Sequence, residues 1–143
     1  MSRVEANKQA VAKFFELFSS GMATEAFALV APDVKWWVPE SLAFGGTYDR
    51  AGYLTKVLPQ FAGFQGPLRL VVKSLVADGD VVAAEVESHG IHSRSEPPGF
   101  VYNNKYHFRI VLRDGLFVEV KEYMDTHHLA ALYAATHGKT AQP

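Results

Sequence analysis

The spacing of apolar residues changes partway along this chain, and that change constrains the fold more than any other feature. After Gly63 apolar and polar residues alternate, which is the period of a strand with one buried face. Asp78-Gly79-Asp80 and Asp114-Gly115 are typical turns between such strands. The alternation predicts a four-stranded antiparallel meander, with strands at Leu68–Ala77, Val81–His92, Tyr102–Arg113 and Leu116–Asp125.

Before Gly63 the spacing is helical. The predicted elements are helices at Val4–Ser20 and Ala23–Val30, a strand at Val34–Val38, a helix at Arg50–Ala62 and, after the meander, a helix at Thr126–Thr136. Asp49 is a suitable N-cap for the third helix, and Pro59 would kink it or end it early. Helices followed by a meander predict an α+β fold, in which N-terminal helices pack on a curved antiparallel sheet and a short helix ends the chain.

Length and charge exclude several classes of protein. The 143 residues suffice for a single domain with its own core, and we expect a frayed tail at about residues 137–143. The net charge is −1 and no basic stripe occurs, so nucleic acid is not an expected partner. No apolar run approaches the ~18 residues of a membrane span, so we expect a cytoplasmic protein with no membrane partner. Cysteine is absent, and neither histidines nor acids have the spacing of a metal site, so we expect no metal and no cofactor.

The strongest candidate for chemistry is a carboxylate in the last strand. Alternation puts Glu122 on the same face as Val118, Val120 and Met124, which is otherwise apolar. A carboxylate on a core-facing side is costly unless it is paired, protonated or lines a pocket. In an apolar pocket its pKa would rise, which suits a general acid or base, whereas the alternative is a structural Glu paired with an Arg, a His or a Tyr hydroxyl.

Other candidates follow from the face of a strand on which a residue lies and from its position in the chain. Tyr102, Asn104 and Tyr106 share one face of their strand and would face the cavity, where Asn104 could orient a ligand carbonyl. Trp36 and Trp37 point to opposite faces, so one of them should line the pocket. The remaining candidates carry competing interpretations: Tyr53 on the third helix is either a ligand contact or core, and Asp125 is either catalytic or the N-cap of the last helix.

A second face of the sheet is mixed in charge. It would carry Glu85, Glu87 and His89 on one strand, His107, Arg109 and Arg113 on the next, and Glu119, Lys121 and Tyr123 on the last. Acidic and basic residues would then sit across from each other. This outer face is either a solvated surface or the interface of a homodimer.

The order of elements and the ending DGLFVEVKEYMDTHHL resemble the nuclear transport factor 2-like, cystatin-like superfamily, and in particular its SnoaL-like branch. That branch includes polyketide cyclases and enzymes of the limonene-epoxide-hydrolase and ketosteroid-isomerase kinds. The resemblance covers roughly Val4 to Tyr133 and implies a cone, in which helices cap a curved sheet around an apolar pocket. It also implies homodimers through the outer sheet face.

The resemblance further assigns roles to single positions. Glu122 matches the acid that works on a water in the epoxide-hydrolase-like members, but Val86 and Ser88 occupy the places of their Arg and Asp. Val38 falls at or near the place of the general base of the steroid isomerases. His107 falls near their second acid and therefore near the pocket, although parity puts it on the charged face. Asp125 is close to the acid of the polyketide cyclases.

These observations predict a cofactor-independent small-molecule enzyme of the isomerase, cyclase or hydrolase type. Glu122 would act as general acid or base on a mostly apolar ligand, with Asp125 and His107 as further catalytic candidates. Trp36, Trp37, Tyr53, Ser88, Tyr102, Asn104 and Tyr106 are the candidate ligand contacts. The alternative is a non-catalytic module on the same fold that binds an apolar small molecule or a protein.

Overall fold

The structure is a computed structural model and describes residues 1–138. Its first part contains helices α1 (Arg3–Ser19) and α2 (Ala23–Phe27) and strands β1 (Val30–Val38) and β2 (Gly46–Tyr48). Helix α3 (Arg50–Gly52) then continues as a π-helical turn (Tyr53–Val57) and a 3-10 turn (Leu58–Phe61). Strands β3 (Arg69–Asp78), β4 (Val81–Ile91), β5 (Val101–Tyr102), β6 (Lys105–Arg113) and β7 (Leu116–Met124) follow, and helix α4 (Thr126–His137) ends the described chain.

The strands form one sheet in the order β2-β1-β7-β6-β4-β3, with β5 paired to β4. All pairs are antiparallel except β1 and β7, which run parallel, with Trp36 beside Val120. The predicted α+β fold, with N-terminal helices, a curved and largely antiparallel sheet and a short C-terminal helix, is confirmed. The parallel pair was not predicted, because it joins the first long strand to the last.

The core lies between α1 and the inner face of the sheet. Ser2 caps α1 by accepting a hydrogen bond from the Glu5 N–H, and the helix then buries one apolar stripe. On that stripe the Phe14 ring lies 5.2 Å from that of Phe117, and the Phe15 ring lies 5.0 Å from that of Phe108. The stripe and the inner face therefore define one apolar interior.

Several boundaries differ from the predicted ones for local reasons. Strand β1 begins at Val30 and runs through Pro32, because its pairing with β7 is irregular between Val30 and Lys35 and makes no demand on a proline N–H there. The segment predicted as a loop after Val38 contains β2. The predicted strand Tyr102–Arg113 is broken into β5 and β6 at Asn103 and Asn104.

The outer face carries the predicted cross-strand charges. Lys105 Nζ lies 3.1 Å from the Glu87 carboxylate, and Arg109 lies 3.6 Å from the Glu119 carboxylate. Both pairs are solvent-exposed, so each contributes at most about 1 kcal/mol. Within residues 1–138 no helix is long and apolar enough to cross a membrane. Of the predicted frayed tail, residues 139–143 lie outside the described residues.

Candidate active site

Glu122 lies on the inner face of β7 and is 2% exposed. It sits directly across from Phe108 of β6. A bulge in the pairing near Val118 shifts the alternation of inward and outward side chains by one residue. Phe117 rather than Val118 therefore shares the inner face with Val120 and Glu122. The predicted inward orientation of Glu122 is confirmed, while the predicted inward place of Val118 is wrong.

Two donors satisfy one oxygen of this carboxylate. Trp36 Nε1 donates to Glu122 Oε1 at 2.8 Å, and the Tyr53 hydroxyl donates to the same oxygen at 2.9 Å. Oε2 accepts no hydrogen bond from residues 1–138, although Glu122 lines the cavity described below. The two hydrogen bonds therefore hold the carboxyl group through Oε1 and leave Oε2 available to a ligand in the cavity.

Burial raises the pKa of Glu122 to about 7, and the hydrogen bonds from Trp36 and Tyr53 limit the rise. Burial also raises the pKa of the Tyr53 hydroxyl, and the neighbouring Glu122 raises it further. Tyr53 therefore keeps its proton and acts as the donor. A carboxyl group with a pKa near 7 exchanges protons readily in both directions at neutral pH.

The fold brings the two donors to Glu122 from distant parts of the chain. The parallel pairing of β1 with β7 puts Trp36 beside Val120 and so on the inner face. Tyr53 begins the π-helical turn, a widened helical geometry that is common at functional sites. The Tyr53 ring packs on the Trp36 ring with 4.2 Å between centroids.

Glu122 opens into a narrow apolar cavity between α1, the α3 segment and the sheet. Its lining side chains are eight apolar ones, Phe14, Phe15, Phe18, Phe27, Phe61, Leu68, Leu70 and Phe108, and four with polar atoms, Trp36, Tyr53, Tyr106 and Glu122. The space open to the centre of a water molecule is about 20 Å³, enough for one water. Phe18, Phe61 and Leu70 are only half-buried and form its mouth.

A second polar cluster lies behind Tyr106. The hydroxyls of Tyr102 and Tyr106 are hydrogen-bonded to each other. Asn104 Nδ2 donates to the Tyr102 oxygen at 3.1 Å and to the Asp125 carbonyl at 3.1 Å. Ser88 Oγ donates to the Tyr102 carbonyl at 3.1 Å and accepts from the Asn104 N–H at 2.7 Å, so it fixes the break between β5 and β6. Only Tyr106 of this cluster lines the cavity.

Three other candidates also lie away from the cavity. Trp37 is on the outer face, where its indole N–H donates to Glu40 and its ring packs 4.8 Å from that of Tyr123, so Trp36 is the tryptophan of the pocket. His107 is exposed on the outer face opposite Glu85, so its expected place near the pocket is wrong and parity was the better guide. Asp125 is exposed and caps α4, accepting hydrogen bonds from the N–H groups of His127 and His128 at 3.0 and 3.2 Å.

Sequence reasoning missed the cavity wall contributed by α1. Phe14, Phe15 and Phe18 lie in the predicted helix Val4–Ser20, and their helical spacing is the signal that could have placed them against the site. It left Tyr53 open between ligand contact and core: Tyr53 is buried in the core and lines the cavity, and its bond to the Glu122 carboxylate was not foreseen. In residues 1–138 no three His, Asp or Glu side chains cluster in an arrangement that would hold a metal ion.

Comparison with known proteins agrees with this architecture. Residues 11–120 match the family described as the SnoaL-like domain. The chain is similar to wild-type IdmH of Streptomyces antibioticus, a proposed polyketide cyclase, with 28% identity, coverage of 90% of this chain and 98% of that chain, and a TM-score of 0.76. The comparison with curated proteins finds no match.

Two further solved structures share the fold at lower identity. An NTF2-like protein of unknown function from Burkholderia pseudomallei is 18% identical, with coverage of 96% of this chain and 100% of that chain and a TM-score of 0.74. A proposed SnoaL-like polyketide cyclase from a Jannaschia species is 18% identical, with coverage of 100% and 98% and a TM-score of 0.72. Because the family match spans most of its length, the chain belongs to the SnoaL-like domain family.

Proposed function

We propose that this protein is a cofactor-independent enzyme of the cyclase or isomerase type, in which Glu122 moves a proton on a mostly apolar small molecule. The observation that carries the proposal is the buried carboxyl group of Glu122. Its pKa is about 7, and its Oε2 is available to a ligand in an apolar cavity. The similarity to IdmH, a proposed polyketide cyclase that is 28% identical, supports the same class of chemistry.

The hydrogen bonds decide which oxygen of Glu122 carries the proton. Trp36 N–H can only donate, so Oε1 remains an acceptor in both states of the carboxyl group. The acidic proton therefore belongs on Oε2, the oxygen free of bonds from the described residues. As a base Oε2 accepts a proton from the ligand, and as an acid it returns that proton at a second position.

Activation of water for hydrolysis is less well supported. Val86 is fully buried and apolar, and Ser88 is occupied by the backbone of Tyr102 and Asn104. Neither residue can serve as the Arg or Asp that would assist Glu122 in orienting a water. Proton transfer requires only one acid/base group, and Glu122 is the one carboxyl group among the described residues that line the cavity.

The cavity also defines the kind of ligand. Eight of its lining side chains carry no polar atom, so a ligand gains affinity by burying apolar rings and chains. A cyclic ligand is larger than the single water for which the cavity has room. We therefore expect the half-buried side chains at the mouth, Phe18, Phe61 and Leu70, to move aside on binding.

Proton transfer can be tested without knowing the natural substrate. The probe is 2-tetralone, an apolar bicyclic ketone with acidic hydrogens beside its carbonyl, dissolved with the protein in D₂O and followed by NMR. We expect the wild type to accelerate exchange of these hydrogens, with a rate that rises with pH through about 7 as Glu122 ionises. Glu122→Gln should lower the catalysed rate by about 10²–10⁴-fold.

Glu119→Gln is the matched control, because it makes the same chemical change on the outer face of the same strand. It should leave the exchange rate unchanged. Exchange by Glu122→Gln at the wild-type rate would rule out Glu122 as the base. Saturable binding of 2-tetralone without any catalysed exchange would favour the alternative, a non-catalytic binding module.

A further inference from the structure

One buried histidine lies beside the mouth of the cavity without lining it. His92 follows the last residue of β4, is 4% exposed, and packs its ring edge-on against the Phe64 ring at 5.0 Å. Its Nε2 lies 2.9 Å from the carbonyl oxygen of Ala62. Ala62 directly follows Phe61, the mouth residue at the end of the 3-10 turn. A bond to Ala62 therefore restrains the position of Phe61.

The backbone fixes the tautomer of this ring. The Arg94 N–H lies 3.1 Å from His92 Nδ1, and a backbone N–H can only donate, so Nδ1 accepts and carries no hydrogen. The ring hydrogen is then on Nε2, which donates it to the Ala62 carbonyl. Both nitrogens are thus used, and the geometry holds His92 as the neutral imidazole with its hydrogen on Nε2.

The β4–β5 loop, residues 92–100, is the fixed side of this contact. Ser95 is 1% exposed, and its Oγ accepts a hydrogen bond from the Phe100 N–H at 3.0 Å, which closes the loop on itself. The Glu96 N–H donates to the Ala135 carbonyl at 2.7 Å and so ties the loop to α4. The loop is therefore held both internally and to a helix.

The mouth segment, residues 61–65, is the side that can move. Among the described residues, two backbone bonds tie its far end to β4 and the loop. One runs from the Gln65 N–H to the Ile91 carbonyl at 2.8 Å, and the other from the Ser93 N–H to the Gly63 carbonyl at 2.9 Å. The bond from the imidazole ring is the tie next to the mouth itself, and it comes from a side chain.

The close approach of the ring to this segment requires a glycine. A Cβ at residue 63 would lie 2.7 Å from His92 Nε2 and 3.0 Å from Arg94 Nη2, so any side chain there would have to displace the ring. Gly63 also has a φ of +93°, which other residues adopt only under strain. Gly63 therefore allows the ring to reach the backbone of the mouth segment.

We propose that His92 is the latch of the cavity mouth: its Nε2–H bond to Ala62 keeps Phe61 in place, and this bond breaks when a ligand enters. His92 is then a positioning residue, which controls access to Glu122 without touching the ligand. The inference rests on the proposed function only in taking this cavity as the ligand site, and it requires no chemistry at Glu122. The cavity has room for about one water, so a larger ligand depends on the latch to enter.

The strength of the latch sets the rate of entry. A ligand enters only those molecules whose mouth is open, so the association rate constant is proportional to the open fraction. One neutral hydrogen bond contributes modestly to the closed state, and its loss should raise the open fraction by about 2–10-fold. The two backbone ties remain, so the segment stays docked.

Entry can be measured with a ligand that has no group on which the site could act. The probe is 1-fluoronaphthalene, an apolar bicyclic compound followed by ¹⁹F NMR, whose line shapes give the association rate constant. It has no acidic hydrogen and no O–H or N–H donor, so its entry is independent of the proposed chemistry. Fluorobenzene is the smaller companion probe, which needs a narrower opening and should respond less to loss of the latch.

Two neutral amides separate the two bonds of the ring. In His92→Gln the amide nitrogen can take the place of Nε2 and donate to Ala62, but no acceptor remains for Arg94. In His92→Asn the amide oxygen can take the place of Nδ1 and accept from Arg94, but the shorter side chain does not reach Ala62. We expect 1-fluoronaphthalene to associate about 2–10-fold faster with His92→Asn than with the wild type, and at the wild-type rate with His92→Gln.

The tautomer is tested on the wild type alone. In protein labelled with ¹⁵N, long-range ¹H–¹⁵N correlations at neutral pH distinguish the two neutral tautomers and the charged ring, and the signals of His92 are assigned through its own backbone. We expect the hydrogen on Nε2. A ring that carries hydrogen on Nδ1, or on both nitrogens, overturns the latch. This result stands even if a variant does not fold, which circular dichroism melting curves check.

The outcomes separate the latch from the proposed function. Equal association rates in the wild type and both variants overturn the latch, and so does an equal increase in both variants, which would come from lost packing of the ring. Both results leave proton transfer by Glu122 standing, because 2-tetralone exchange measures it separately. Exchange that is unaffected in Glu122→Gln, together with faster entry in His92→Asn alone, overturns the proposed base and supports the latch. A wild type that does not bind 1-fluoronaphthalene overturns the latch together with the cavity as a ligand site.

Discussion

Replacing the buried carboxyl group by its neutral isostere should change the pH dependence of stability. In Glu122→Gln the side-chain carbonyl oxygen can still accept the hydrogen bonds of Trp36 and Tyr53, so the packing around residue 122 is kept. What the variant removes is the ability to ionise. The wild type must bury a charge when Glu122 loses its proton, and the variant never does.

The size of this effect follows from the pKa of Glu122. The pKa rises from an ordinary 4.5 to about 7 in the folded protein, so the folded state holds the proton more tightly than the unfolded state. At about 1.4 kcal/mol per pH unit the difference corresponds to about 3 kcal/mol. This stability is fully present below pH 4.5 and is lost as the pH rises to about 7.

Urea unfolding followed by tryptophan fluorescence measures the effect, because Trp36 is buried against the carboxyl group. Between pH 4.5 and a pH above 7, the free energy of unfolding of the wild type should fall by about 3 kcal/mol more than that of Glu122→Gln. Glu119→Gln should follow the wild type within about 1 kcal/mol, because its ion pair with Arg109 is exposed. Parallel pH curves for the wild type and Glu122→Gln would refute the argument.

Three further predictions concern the donors, the mouth and the outer face. Tyr53→Phe removes a hydrogen bond that lowers the pKa of Glu122, so the midpoint of the pH–rate profile for 2-tetralone exchange should move to higher pH; an unmoved midpoint would contradict this. Phe61→Ala should open the mouth of the cavity, where Phe61 is half-buried, and so lower the KM for 2-tetralone with little change in kcat; an unchanged KM would show that Phe61 does not limit entry. The same variant should destabilise the protein by less than the ~3–5 kcal/mol that is lost with a fully buried Phe. We also propose that the outer face pairs with a second copy of the chain around Trp37 and Tyr123, which is 45% exposed. Tyr123→Asp should then convert a dimer to a monomer in sedimentation experiments, and a monomeric wild type would exclude this dimer.

Residues whose placement depends on local pattern were predictable. Alternation along β6 and β7 placed Tyr106 and Glu122 on the inner face and His107 on the outer face, because side-chain period in a strand is a local property. The bulge near Val118 changed the parity only before Val120, so it left Glu122 unaffected. An N-cap was one of the two roles that the position of Asp125 indicated, beside a catalytic one, and the structure shows Asp125 as the cap of α4.

Residues whose placement depends on distant contacts were not predictable. Alternation along the strand puts Trp36 and Trp37 on opposite faces, but only the parallel pairing of β1 with β7 decides which of them faces inward. Tyr53, the first residue of the π-helical turn, donates to a carboxylate 69 positions later in the chain, and no residue type in that segment signals this contact. Asn104 is buried as expected, yet it contacts Tyr102 rather than the cavity because the strand breaks there.

The two hydrogen-bonded clusters, the one around Tyr106 and the one around Glu122, are assembled from very different distances along the chain. Asn104, Tyr102 and Tyr106 are near neighbours in sequence, whereas the hydrogen bonds to Glu122 come from residues 86 and 69 positions earlier. Contacts of such separation form late in folding, because the entropy of closing a long loop opposes them. Burial in the folded protein raises the pKa of Glu122 to about 7, so folding at neutral pH draws a proton onto a part of the molecules. Proton uptake during refolding would thus mark the burial of Glu122.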